Sequence, residues 1–193
     1  MLIRAIPAAV LAIGITFSAD HSAGLGLAWL GGFAIATGLV IAVGSLSTLR
    51  GIQRALPTAQ GVAAIAGGVA AIGGSSAGLP FLVGLTAVLF FVTGAIELVA
   101  GLLSRGTAHP ARDWIFLGAA SVVFALAVLL VPVDYSQAIT IPDAVVPNLT
   151  ASVIVVGMLG AYAAIAAVYL VIAGLSLKWA KHPEASVSAG GVA

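Results

Sequence analysis

Two long apolar runs placed back to back, 80–104 and 114–131, constrain this chain more than anything else in it; a short basic link from Arg105 to Arg112 joins them. The first run, about 25 residues, makes roughly 37 Å of α-helix, enough to cross a hydrocarbon core of roughly 30 Å. The second carries no charge and sits at the lower length limit for a span. Hydrocarbon offers no water to free backbone N–H and C=O groups, so such isolated runs must be helical or belong to a closed barrel. Barrel strands alternate apolar and polar residues, and these runs do not. The pair reads as a transmembrane hairpin.

Composition extends that reading to the whole chain. Of 193 residues, 62% are hydrophobic and 7% charged, a balance that a soluble domain of this size cannot keep in solution. Six apolar segments can be drawn, at 3–17, 25–49, 58–76, 80–104, 114–131 and 149–177. All seven basic residues, Arg4, Arg50, Arg54, Arg105, Arg112, Lys178 and Lys181, fall at the N-terminus, in the second and fourth links or at the C-terminus. Those places share one side of a membrane if all six segments cross it, and Asp20, His21, Asp134 and Asp143 take the other. Short loops rich in Lys and Arg stay cytoplasmic. The expected architecture is all-α: a polytopic membrane bundle of six transmembrane helices over residues 1–181, both termini cytoplasmic, followed by a small, Gly-rich, disordered tail at 182–193.

Several boundaries carry their own chemistry. Pro80 suits the first turn of a helix and follows a short turn, Gly73-Gly74-Ser75-Ser76-Ala77-Gly78. Trp29, Trp114 and Trp179 fall near span ends, where amphipathic rings prefer the headgroup layer. Residues 133–148, with Pro142, Pro147 and two aspartates, read as an irregular outer loop. Asn148 reads as the N-cap of the last helix in preference to a glycosylation acceptor. The N-terminal stretch, with Arg4, an apolar run and small residues before Asp20, also has the layout of a cleavable signal peptide.

The even-numbered segments end alike: Gly44-Ser45-Leu46-Ser47 before Arg50, Gly101-Leu102-Leu103-Ser104 before Arg105, and Gly174-Leu175-Ser176-Leu177 before Lys178. Thr37-Gly38 and Thr93-Gly94 recur upstream, and Gly61 and Gly68 are spaced like Gly118 and Ala125. The chain reads as three related helical hairpins, the first of them eroded. The run Thr93-Gly94-Ala95-Ile96-Glu97-Leu98-Val99-Ala100-Gly101, a basic link, Arg112-Asp113-Trp114-Ile115-Phe116-Leu117-Gly118 and a closing Leu130-Val131-Pro132 resembles the HdeD family. These are bacterial six-helix membrane proteins linked to acid resistance. The likeness is good over 84–132, tolerable over 33–74 and poor over the first helix and the loop at 134–147. It implies a fold, a bacterial inner membrane and a part in stress, and it brings no catalytic residue.

Glu97 is the one ionisable group well inside a span, about seven residues or roughly 10 Å from the inner end of its helix. Charge in hydrocarbon is costly, so such a residue faces the bundle interior, pairs or is protonated. It is either a proton-binding or cation-coordinating site, or a carboxylate that reaches the inner interface and pairs with Arg50, Arg54, Arg105 or Arg112 to hold helices together. Its shallow depth favours pairing. Gly61, Gly67 and Gly68, with Ala64 and Ala71, mark the third segment as the most enclosed helix, and Gly94, Gly101 and Gly157-Met158-Leu159-Gly160-Ala161 offer further close-packing faces. Tyr162 and Tyr169 share one helix face and read as core.

His21 is a weak candidate sensor of outside acidity, while His109 and His182 add polarity near the headgroups. No metal-ligand, nucleotide-binding or catalytic motif occurs, and a chain without cysteine has no thiol chemistry. Gln60, Thr86, Thr93, Ser121 and Ser152 are sparse, with no sign that they converge. The chain reads as a non-enzymatic membrane component with no cofactor. Its expected partners are the lipid bilayer and a second copy or another membrane protein, not nucleic acid. A small proton- or cation-linked transporter or channel using Glu97 is the alternative, as is a subunit of a larger membrane complex.

Overall fold

Runs without a polar face must hide their backbone in helices, and they do. The computed structural model describes residues 2–106, 111–138 and 148–180. It places α1 at Leu2–Phe17, α2 at Ala23–Thr48, α3 at Ile52–Gly73, α4 at Leu79–Leu103, α5 at Ala111–Leu129 and α6 at Ala151–Ala180. Five of these helices are long and apolar enough to cross a membrane. The first is the exception to the six expected spans: α1 has 16 residues, or about 24 Å of helix. Lys181, His109, His182, Asp143 and the tail at 182–193 lie outside the described residues.

Local signals set most helix ends. Ser22 caps α2, its Oγ accepting the Leu25 N–H at 3.3 Å, and the Asp20 carboxylate in turn accepts from the Ser22 N–H at 2.8 Å. Gly78, at φ +83°, turns the chain into α4, whose first turn holds Pro80 as expected. The last helix departs from expectation. It begins at Ala151, so Asn148 is not its N-cap; β2 (Leu149–Thr150) intervenes and pairs antiparallel with β1 (Ser136–Gln137). The Ala151 N–H donates to the Tyr135 carbonyl at 2.9 Å, and the Thr150 and Ser152 hydroxyls lie 2.9 Å apart. A short ladder thus ties residues 135–137 to the mouth of α6.

Three antiparallel pairs, α2 with α3, α4 with α5 and α6 with α1, make the closest contacts. Glycine allows the first two. A Cβ placed on Gly38 would lie 2.6 Å from the Gly61 carbonyl oxygen, and one on Gly68 would lie 2.8 Å from that of Gly31. In the second pair, a Cβ on Gly94 would lie 2.9 Å from the Gly118 oxygen, and one on Gly101 2.9 Å from that of Ala111. In hydrocarbon, where lipid tails are as apolar as leucine, such backbone proximity is what holds helices together. The third pair runs from Leu2 beside Gly174 to Ile15 beside Gly160. Gly67 faces Leu89 of α4 rather than α2.

The third helix is not the most enclosed one. Its small residues seat one stripe against α2, but another flank, with Val62 and Val69, is exposed. Small side chains permit close approach on one side; they do not demand neighbours on the other. The other long helices are more enclosed than α3: α6 most of all, and α4 buries residues from Leu82 to Gly101 along its length.

The starts of α2, α4 and α6 meet, with Gly26 packed against Leu82 and Val156. Because neighbours run antiparallel, Arg4, Arg50, Arg54, Arg105, Arg112 and Lys178 gather at one end of the bundle, and Asp20 and Asp134 at the other. Near the acidic end sits the larger apolar cluster, including Leu27, Leu30, Leu82, Val128, Val155 and Leu159.

Candidate functional site

Helical spacing puts Phe90, Glu97 and Ser104 on the buried side of α4, so the carboxylate has to point into protein. Glu97 is 5% exposed. Arg4 Nη2 donates to its Oε1 at 2.6 Å, and Gln60 Nε2 donates to its Oε2 at 2.9 Å. One carboxylate therefore ties together α1, α3 and α4. The expected pairing exists, but the partner is Arg4 and not Arg50, Arg54, Arg105 or Arg112. Arg4 stands in the first turn of α1, close enough to the basic end to count as a topology residue; its long side chain reaches inward from there. It makes the one salt bridge among the described residues.

The polar residues that looked scattered do converge. Arg4, Thr37, Gln60, Thr93, Glu97, Ser121 and Tyr162 line one partly open cavity of about 60 Å³, together with Phe33, Phe90 and other apolar side chains. Ser121 gives its proton to the Leu117 carbonyl at 2.8 Å, so the Tyr162 hydroxyl, 2.7 Å away, donates to Ser121. Thr93 donates to the Leu89 carbonyl at 2.6 Å. Arg4 Nε and Thr37 Oγ1 are buried without a protein partner, as is Thr86 Oγ1 away from the cavity. Thr86 is fully buried in α4 without lining this cavity, and Ser152 sits at the start of α6.

An aromatic layer closes the cavity on the side away from the basic end. Phe90 meets Phe124 edge-on at 4.7 Å and Tyr162 at 4.8 Å between ring centroids, and Phe33 stacks on Phe90 at 6.3 Å. Toward the basic end lies a vestibule of about 530 Å³, walled by residues that include Ser47, Leu49, Pro57, Trp114 and Leu177. Arg4, Ile41, Gln60 and Glu97 line both spaces, so the charge pair sits at their junction.

The other candidates remain apart from this site. Tyr162 is its wall, but Tyr169 stacks on Phe116 at 4.1 Å and donates to Asp113 at 2.8 Å, near the basic end. His21 lies between α1 and α2 at the acidic end. Among the described residues no cluster of His, Asp and Glu is built to hold a metal. Sequence reading missed Arg4 and Thr37 as members of the site; the one available signal was that Thr37-Gly38 repeats as Thr93-Gly94, four residues before Glu97.

Fold and site together define a multi-pass helical membrane protein with a polar centre inside an apolar bundle. No protein-family model matches the chain, and no curated protein or solved structure is significantly similar to it.

Proposed function

We propose that this chain is a non-enzymatic integral membrane protein of the HdeD type, a stress-response (acid-resistance) or accessory component of the bacterial inner membrane, with both termini cytoplasmic. The observation that carries the reading is the Arg4–Glu97–Gln60 clamp, in which the one carboxylate of the membrane interior serves to join three helices. The gathering of basic residues at one end supports the orientation. Two antiparallel pairs of consecutive helices, α2 with α3 and α4 with α5, support related hairpins, with Gly38 against Gly61 corresponding to Gly94 against Gly118, while α1 packs on α6. In this reading α1 crosses with the others, the bilayer thinning around its shorter length.

Orientation is testable because the chain has no cysteine of its own. Single cysteines at Ser76 and at Arg105 should behave oppositely in intact cells, a membrane-impermeant maleimide labelling the first and not the second. Labelling at Arg105 would overturn the topology. For the role itself, a deletion strain should survive acid challenge less well than its complemented parent, and purification in a gentle detergent should recover either a self-associated species or a defined partner.

A second reading, a small proton- or cation-linked transporter, is favoured by the cavity that joins Glu97 to Thr37, Thr93, Ser121 and Tyr162. Proton flux into liposomes that disappears with Glu97→Gln would establish it; liposomes no leakier than empty ones would leave the accessory reading standing.

A further inference from the structure

We infer that the inner cavity is a water site fed from the basic end, with the Arg4–Glu97 pair at its mouth. Its volume, about 60 Å³, is several times the 10–15 Å³ or so that one water needs. Its wall states what the guest must offer. Arg4 Nε–H requires an acceptor, and Thr37 Oγ1 has no partner at all. The Tyr162 oxygen, having given its proton to Ser121, still has lone pairs to fill. A bare cation would leave the Arg4 N–H unmet and face a guanidinium; a bare anion would face the Glu97 carboxylate. Because the pair is neutral as a whole, the fitting guest is a small neutral molecule that both donates and accepts.

Water meets that description, and apolar voids stay dry while polar ones fill. Entry is from the basic end, where the vestibule reaches the same four residues that line the cavity. Exit at the far side is blocked by Phe90, Phe124 and Tyr162, packed ring against ring, and the groove between α5 and α6 that meets the cavity at Leu117, Tyr162 and Ala166 is lined almost wholly by apolar side chains that give water nothing to bind. The arrangement is a well and not a pore. Hydration of this kind carries protons to Glu97 and as far as Tyr162 without a continuous path across the bilayer, so the inference stands whether or not the chain transports anything.

The experiment uses the cysteine-free background. Thr37→Cys probes the cavity, Ser47→Cys the vestibule and Val128→Cys the dry apolar core, each with the small neutral reagent methyl methanethiosulfonate, which reacts with the hydrated thiolate. Ser47→Cys should react fastest, and Thr37→Cys at least tenfold faster than Val128→Cys. On the unaltered chain, hydroxyl-radical footprinting in isotopically labelled water should oxidise Tyr162 and leave Leu82 untouched. Thr37→Cys as slow as Val128→Cys, or Tyr162 as inert as Leu82, overturns the inference.

Discussion

Arg4→Ala should lower the stability of the bundle by about 3–5 kcal/mol, the usual consequence of stripping one partner from a buried ion pair. Glu97 stays where it was, 5% exposed, with Gln60 as its only remaining donor. Glu97→Ala should cost a similar amount, because the Arg4 guanidinium, with a side chain 16% exposed, loses its counter-charge while its Nε already lacks a partner. The double variant Arg4→Leu/Glu97→Leu should return to within about 1–2 kcal/mol of the parent, since apolar residues of similar volume replace a buried pair at little net cost. The measurement is unfolding in mixed micelles for all four chains, read as a double-mutant cycle. Single variants that unfold with the parent, or effects that simply add, would show that the pair does not couple α1 to α4.

The glycine stripes set the other large effect. A Cβ on Gly118 would lie 2.7 Å from the Gly94 carbonyl oxygen and 2.8 Å from Leu98 Cα, and both are backbone atoms that cannot rotate aside. Gly118→Val therefore has to push α4 and α5 apart along their whole contact. The expected loss is about 3 kcal/mol or more, at the upper end of overpacking penalties. Gly32 supplies the control. A Cβ there meets nothing within 4 Å, so Gly32→Ala should be neutral or stabilising by up to about 1 kcal/mol, the ordinary helix-propensity gain. Thermal unfolding of the two variants side by side decides the matter: equal midpoints would mean that the α4–α5 crossing is looser than its geometry.

How far these features were readable depends on what each rests on. The hairpin of α4 and α5 was legible because continuous apolarity has one solution in lipid, and because Gly94, Gly101 and Gly118 mark the crossing. Glu97 announced itself as a charge in a place that charges avoid. Its partner did not, because Arg4 lies 93 residues away and looked fully explained as an anchoring charge; a long side chain can mark the interface and reach inward at once.

The convergence of Thr37, Gln60, Thr93 and Ser121 was illegible for a different reason. Helices apolar on nearly every side carry no periodicity that separates an inward face from a lipid face, so their rotation is set by packing alone. The same ambiguity made the glycine-rich α3 look enclosed when one of its flanks is bare. Asn148 failed as a cap because a ladder of two residue pairs, Ser136 with Thr150 and Gln137 with Leu149, postpones the helix. Nothing in a loop sequence forecasts so short a pairing.

The seam between α1 and α6 bears on biogenesis. As the chain leaves the ribosome, α2 can zip onto α3 and α4 onto α5 as soon as the second member of each emerges, but α1 is synthesised first and its chief neighbour last. Until α6 is inserted, Ala5, Ala8 and Ile15 have no such wall to rest on, and until Glu97 is made the Arg4 guanidinium lacks its counterion. A chain halted before Ala151 would therefore leave that face of α1 without its chief neighbour.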